Sequence, residues 1–368
     1  MPNRREFLKN MAAASAGAFL LNRGLMGAAY PQAQAAGAAK RRELTIGGRR
    51  VKTVDVHTHA FVPEVNDLVK GTDLERPAAG IAGQLRGRDS TLGPERIVKM
   101  NEDGIDVHAA SINPFWYSAD RDMAVKLIDL QNEKLAAMCA KNPDRFVAFA
   151  TVALQFPDLA AEQLEAGMKQ WGLRGAAIGG NVNGEELSAA KFDPFWAKAQ
   201  ELQALIFMHP QGVGDPGLAK RLGMGDPAQI GNPLETSIFI SHLIFDGTLD
   251  RFPNLKICCA HGGGFLPSYP NRMDNGCLRN PSTCKAKAPS EYLKQLYVDS
   301  LVFTAEGVRH LAAVCGPSQI MIGTDSPIAW VVGSPLDPIL AAQGLNDADR
   351  AAMVGGTACK LLRIPTTI

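Results

Sequence analysis

Eight short apolar runs, separated in most cases by longer amphipathic stretches, constrain this chain more than any other feature. The runs are Thr53–Val56, Val107–Ile112, Phe146–Val152, Gly175–Ile178, Ala204–Met208, Lys256–Ala260, Leu296–Val302 and Gln319–Ile322. Each has the length and composition of a strand buried on both faces, as in parallel sheets. Helical patterns lie between them at Asp120–Lys141, closed by Asn142-Pro143, and at Leu159–Gln170. Three more run over Phe192–Leu202, Asn232–Arg251 and Ala305–Ala313. Asp193-Pro194 suits the first turn of its helix, where a missing N–H costs nothing. Eightfold alternation of strand and helix predicts a (β/α)8 TIM barrel. A short β-hairpin turning at Gly47-Gly48 is expected to precede it. Two connections, residues 59–105 and 262–297, are long enough to form lids or substrate loops.

Four of these runs end in a titratable side chain. His57 and His59 close the first, His209 the fifth, His261 the sixth and Asp325 the eighth. In a His-X-His segment on a strand, both imidazoles point to one side. A barrel brings the C-terminal ends of its strands together, so these groups converge there. Four imidazoles and a carboxylate delivered to one rim indicate a metal site.

The remaining composition excludes other classes. Net charge is +1 and no basic tract interleaves with aromatics, so no nucleic-acid surface is expected. At the N-terminus, Asn3-Arg4-Arg5-Glu6-Phe7-Leu8-Lys9 resembles a twin-arginine export signal. The apolar stretch Met11–Leu21 is too short for a bilayer span, and Ala33-Gln34-Ala35 offers a cleavage site. Residues 1–35 are therefore expected to be an export signal read by the twin-arginine machinery, and residues 36–368 the barrel. A periplasmic location follows, with a cytoplasmic one as the alternative. The seven cysteines form no CxxC pair and read as buried thiols, with a Cys277–Cys284 disulfide as the alternative. His108, His242 and His310 read as packing or helix-end residues.

The histidine and aspartate set resembles the amidohydrolase superfamily pattern. Pro94–Gly104, Gly231-Asn-Pro-Leu-Glu-Thr236, Phe252–Gly264 and Ile322-Gly-Thr-Asp-Ser-Pro327 resemble its α-amino-β-carboxymuconate-ε-semialdehyde decarboxylase branch. The resemblance spans about residues 50 to 365. It implies a mononuclear zinc, with Mn²⁺ or another divalent ion as alternatives, held by His57, His59, His209 and Asp325. Two-metal members carry a bridging group at the fourth strand, and Gly175-Ala-Ala-Ile-Gly-Gly180 offers no Lys, Glu or Cys. His261 is implied as the neighbouring acid–base group or, alternatively, a further ligand. Arg96 aligns with an arginine that binds the substrate carboxylate. Arg272 and Arg279 align with arginines that reach a neighbouring subunit's site, which implies a homodimer. Trp116 and Tyr117 are candidates for lining the pocket, and Gly262-Gly263-Gly264 for letting backbone approach the substrate. Two departures bear on the pocket. Gln211 follows His209-Pro210 where the branch has Trp, and Asp325-Ser-Pro-Ile328 replaces Asp-Tyr-Pro-Phe.

Two reactions are open to such a site. Non-oxidative decarboxylation of an unsaturated or aromatic carboxylic acid would use metal-bound water and His261 to deliver a proton to carbon, with Asp325 beside them. Hydrolysis of a lactone, ester or amide would use the same water as a nucleophile. A metal-binding receptor without turnover would need no acid–base group beside its ligands.

Overall fold

A computed structural model of the chain describes residues 40–368 except 86–87, 213–216, 218–219, 222–227, 329, 332 and 368. The expected export signal lies outside the described residues. The hairpin pairs β1 (Thr45–Ile46) with β2 (Arg49–Arg50) around Gly47-Gly48, both glycines at positive φ.

The eight barrel strands are β3 (Val54–His59), β4 (Val107–Ser111), β5 (Phe146–Ala148), β6 (Gly175–Ile178), β9 (Leu205–Met208), β10 (Lys256–Cys259), β11 (Tyr297–Asp299) and β12 (Ile320–Ser326). A two-residue hairpin, β7 (Asn181–Val182) with β8 (Glu185–Glu186), follows β6. All barrel pairings are parallel, in the order β5-β4-β3-β12-β11-β10-β9-β6. A parallel bridge between Ala150 and Ala176 joins the two ends, so the sheet curls round as a TIM barrel does.

Alternation along the strands divides the core. Leu205, Phe207, Cys258 and Met321 belong to one buried cluster, and Ile206, Met208, Ile257, Cys259, Ile320 and Ile322 to another. Period-two alternation of this kind puts one set inside the barrel and the other under the helices. Phe207 shares its face with His209, and its ring lies 5.2 Å from that of His57.

The helices used below are α1 (Glu75–Gln84), α2 (Pro94–Asp103), α3 (Arg121–Ala140), α4 (Pro157–Lys169), α5 (Asp193–Glu201), α6 (Gly231–Phe245), α7 (Pro270–Arg279), α8 (Ala305–Cys315) and α9 (Asp337–Ala341). Asp120 caps α3 by accepting from the Met123 N–H at 2.8 Å. The helix expected over Asn232–Arg251 breaks after Phe245. Gly247 adopts φ 80°, a left-handed conformation that ends a helix cheaply only at glycine. His242, read as packed, is instead 40% exposed and lies 2.7 Å from Asp246. The seven cysteines are free thiols, and Cys284 sits against Cys277 without a disulfide. No helix among the described residues is long and apolar enough to cross a membrane.

Candidate metal and acid–base site

The C-terminal ends of β3, β9 and β12 bring His57, His59, His209 and Asp325 together. One donor atom from each lies within 4.8 Å of the others, and all four residues are buried. The imidazole centroids of His57, His59 and His209 are 4.7 to 5.3 Å apart. Asp325 Oδ1 is 2.6 Å from His59 Nε2 and 3.2 Å from His57 Nε2. Its backbone, near the end of β12, has φ 63°, a strained choice outside glycine.

The opposite ring nitrogens are each tied down. His57 Nδ1 is 2.6 Å from Asp299 Oδ2, and His209 Nδ1 is 2.8 Å from the Pro210 carbonyl oxygen. His59 Nδ1 lies 3.5 Å from Ser111 Oγ. Such outer partners fix the tautomer and leave Nε2 for a metal. Nε2 of His57 and of His209 is buried without a hydrogen bond. A cation at the shared centre is the group that satisfies both, so the residues fit one divalent ion.

The electrostatics agree. Burial disfavours charge on His57, but Asp325 and Asp299 outweigh it and hold its pKa up to about 10. Burial likewise opposes charge on Asp325, and the His57 and His59 imidazoles hold it well below the carboxylate range. Burial keeps His209 neutral, well below the usual imidazole value. A metal binding here would displace any proton held among these imidazoles.

His261 follows β10 at φ 57°. Its ring lies 5.2 Å from those of His57 and His209, and its Nδ1 is buried without a partner. Burial and then the His57 charge lower its pKa to about 4, so it is neutral at pH 7. The glycines after it serve packing. A Cβ on Gly262 would lie 2.5 Å from Val302, and one on Gly264 2.3 Å from the Pro233 carbonyl. They let the His261 turn sit on α6 and β11, which corrects the expectation that they approach substrate.

Asp299, at the end of β11, was not foreseen as a site residue. It accepts from the His261 and Gly262 N–H groups at 3.0 and 2.8 Å and also holds His57. It thereby sets the positions of both acid–base and ligand imidazoles. Asp299→Asn is expected to weaken metal binding about 10- to 100-fold while the fold survives, measured by chelator competition. Unchanged affinity would remove Asp299 from the support of His57.

Three other sequence readings meet a different placement. Arg96 on α2 is 2% exposed. It donates to the Asp89 carbonyl at 2.6 and 3.0 Å, to the His59 carbonyl at 2.7 Å and to the Ser326 carbonyl at 3.3 Å. Its guanidinium is spent on backbone and ties β3 to β12, so it positions the ligand strands and has no fork left for a carboxylate. Trp116 is fully buried, with its indole N–H on the Val152 carbonyl at 2.9 Å, and is a core residue. Tyr117 is also buried, its hydroxyl accepting from the Gly179 N–H. Arg272 and Arg279 are exposed on α7.

A cleft of about 620 Å³ opens over the ligands. Its walls include His209, Asp325, Arg88, Phe115, Gln211 and Trp330. Arg88 is the cation facing it among the described lining residues, and its guanidinium donates from Nη1 to the Gln84 carbonyl at 3.1 Å. Gln211 donates to the Pro114 carbonyl at 2.7 Å and so joins the turns after β4 and β9.

Behind the cleft, Glu235 on α6 is 5% exposed and accepts from Asn181 Nδ2 at 3.0 Å. Burial raises its pKa to about 7 against hydrogen bonds from the Gln211 and Gly212 backbone. The folded state thus binds a proton more tightly than the unfolded chain, and stability falls as pH rises from 4.5 to 7. Over that window wild type should lose about 3 kcal/mol relative to Glu235→Gln, read from urea melts. Parallel pH profiles for the two proteins would show that Glu235 titrates as an ordinary carboxylate.

Comparison with known proteins places this geometry. A family profile described as Amidohydrolase matches residues 54–364. The chain is 30% identical over 272 residues to a 2-amino-3-carboxymuconate-6-semialdehyde decarboxylase of Dictyostelium discoideum, covering 73% of this chain and 75% of that one. It is 27% identical over 335 residues to a gamma-resorcylate decarboxylase of Rhodococcus jostii (strain RHA1), covering 84% and 98%. A crystal structure of 5-carboxyvanillate decarboxylase from Novosphingobium aromaticivorans, complexed with manganese and 4-hydroxy-3-methoxy-5-nitrobenzoic acid, matches with a TM-score of 0.73 at 25% identity. That match covers 87% of this chain and 99% of that one. The chain belongs to the amidohydrolase family, within its branch of metal-dependent carboxy-lyases.

Proposed function

We propose that this protein removes CO2 from an aromatic carboxylic acid without an oxidant, with His57, His59, His209 and Asp325 holding one divalent ion. The observation that carries the reading is His261, with a buried and unpartnered Nδ1, beside a buried three-histidine, one-aspartate cluster whose His209 and Asp325 line a cleft with an arginine in its wall. The donor set suits zinc, and the manganese in the related carboxyvanillate enzyme makes that ion the alternative. When bound, the ion supplies Lewis acidity that stabilises negative charge on the substrate's oxygens.

The chain's own residues supply the rest. Arg88 pairs with the carboxylate and orients the ring. His261, neutral at the start, takes the proton of the substrate's ortho-hydroxyl at Nδ1 and delivers it to the carbon bearing the carboxylate, and the hydroxyl is reprotonated from solvent. The carbon–carboxylate bond then breaks, its electron pair returns to the ring, and CO2 leaves. One proton enters for each CO2 released. The walls at Phe115 and Trp330 exclude water from the ring.

The test is CO2 release from ortho-hydroxybenzoates and muconate semialdehydes by the metal-loaded protein, with lactone opening followed in parallel. Ring opening without CO2 would move the protein to the hydrolases. Arg88→Ala should raise KM about 10- to 100-fold with a smaller change in kcat. An unaltered KM would take the carboxylate away from Arg88.

Two further readings belong with this proposal. Residues 1–35 direct export by the twin-arginine route to the periplasm, tested by cell fractionation and the N-terminus of the mature protein. The exposed Arg272 and Arg279 complete the site of a second copy in a homodimer, tested by complementation between Arg272→Ala and His261→Ala subunits.

A further inference from the structure

Trp330 stands where three cavities meet. It lines the 620 Å³ cleft with His209 and Asp325. It lines a 120 Å³ pocket with His261, Asp325, Leu301 and Phe303. It also lines a 410 Å³ chamber with Leu301, Phe303, Val331, Pro335 and Pro338. The small pocket shares Asp325 and Trp330 with the cleft, and Leu301, Phe303 and Trp330 with the chamber. The small pocket, which carries His261, therefore shares walls with both larger spaces.

Size separates their roles. An apolar cavity of about 150 Å³ holds a benzene ring. The cleft and the chamber each exceed that, and the pocket between them falls short. A single-ring acid seated over the ligands leaves the chamber unfilled.

Phe303 adds an independent observation. It is 53% exposed at φ 64°. A bulky residue in the left-handed region costs on the order of 1–3 kcal/mol, and strain of this kind collects at ligand clamps. Here the strain turns an aromatic side chain toward solvent at the chamber mouth. That is unfavourable for the chain alone and useful if a ligand covers the ring.

We propose that the chamber binds a second apolar group of the substrate, which makes the substrate an aromatic carboxylic acid bearing an aryl or equally bulky apolar substituent. The reacting ring lies in the cleft, the connecting bond passes His261 and Trp330, and the substituent rests between Phe303, Val331 and Pro338. This substrate class rests on the decarboxylase reading above.

The probes are 2-hydroxybenzoate and its 4-phenyl and 5-phenyl derivatives, with dissociation constants measured by calorimetry on the metal-loaded full chain. At least one phenyl derivative should bind about 10- to 100-fold more tightly than the parent. Ala341→Phe on α9 narrows the chamber and should bring that ratio close to one. Ala305→Phe at the start of α8 does the same from the other wall should the first variant fold poorly. Equal or weaker binding of both phenyl derivatives, or a ratio untouched by the filling variants, overturns the chamber. CO2 release is read in the same samples. Turnover of the parent without a phenyl preference leaves the decarboxylase reading standing and removes only the chamber. A phenyl preference without CO2 release keeps the chamber and removes the reaction. No binding of any of the three acids overturns both.

Discussion

Asp325→Ala is expected to lose the metal and, with it, CO2 release. The carboxylate is the one anionic donor among four groups that lie within 4.8 Å of each other. Its Oδ1 also holds His59 at 2.6 Å and lies 3.2 Å from His57. Removing it leaves three imidazoles with no negative partner at the centre, and the positive charge on His57 then rests on Asp299 alone. Affinity for the ion should fall by more than the about 100-fold that losing an outer partner costs. Metal content after dialysis, measured by mass spectrometry, reads the first effect, and CO2 release the second. A stoichiometric ion retained by Asp325→Ala would take this residue out of the ligand set. The variant should still fold, because Asp325 lies near the C-terminal end of β12 and belongs to neither apolar cluster.

Much of this site was legible because strand chemistry and barrel topology act together. A buried parallel strand reads as an apolar run, and a polar residue at its C-terminal end has nowhere to go but the catalytic face. His57, His59, His209 and Asp325 all follow that rule. Asp299 escapes it, because Leu296–Val302 reads as one run with the acid inside, whereas β11 ends at Asp299. The misplacements share another cause. Which of Phe115, Trp116 and Tyr117 faces the cleft depends on the turn at Asn113-Pro114, where period two no longer applies. Arg96 and Arg88 lie on one long excursion, and only folding shows that the first is spent on carbonyls and the second faces the cleft. Gly262 to Gly264 and Glu235 are coupled through α6, a contact between segments that local pattern does not encode.

His261→Ala should separate chemistry from metal binding. The imidazole is not among the four clustered donors, and Asp299 still orients His57 when the His261 ring is gone. The ion should stay at full occupancy while kcat falls about 10²- to 10⁴-fold, the usual worth of a positioned proton-transfer group. The pH profile carries the second half of the argument. Burial and the neighbouring positive charge lower His261 to about 4. If the neutral ring is the working form, wild-type kcat holds as pH falls through 6.5 and drops only as it approaches 4. An ion in place of the His57 proton pushes in the same direction. The His261→Ala profile should lose that limb and be flat over the range where metal remains bound. Near-native turnover in the variant would end the proton-transfer role. A loss of metal equal to the loss of rate would make His261 a ligand, the other reading its position at the end of β10 allows.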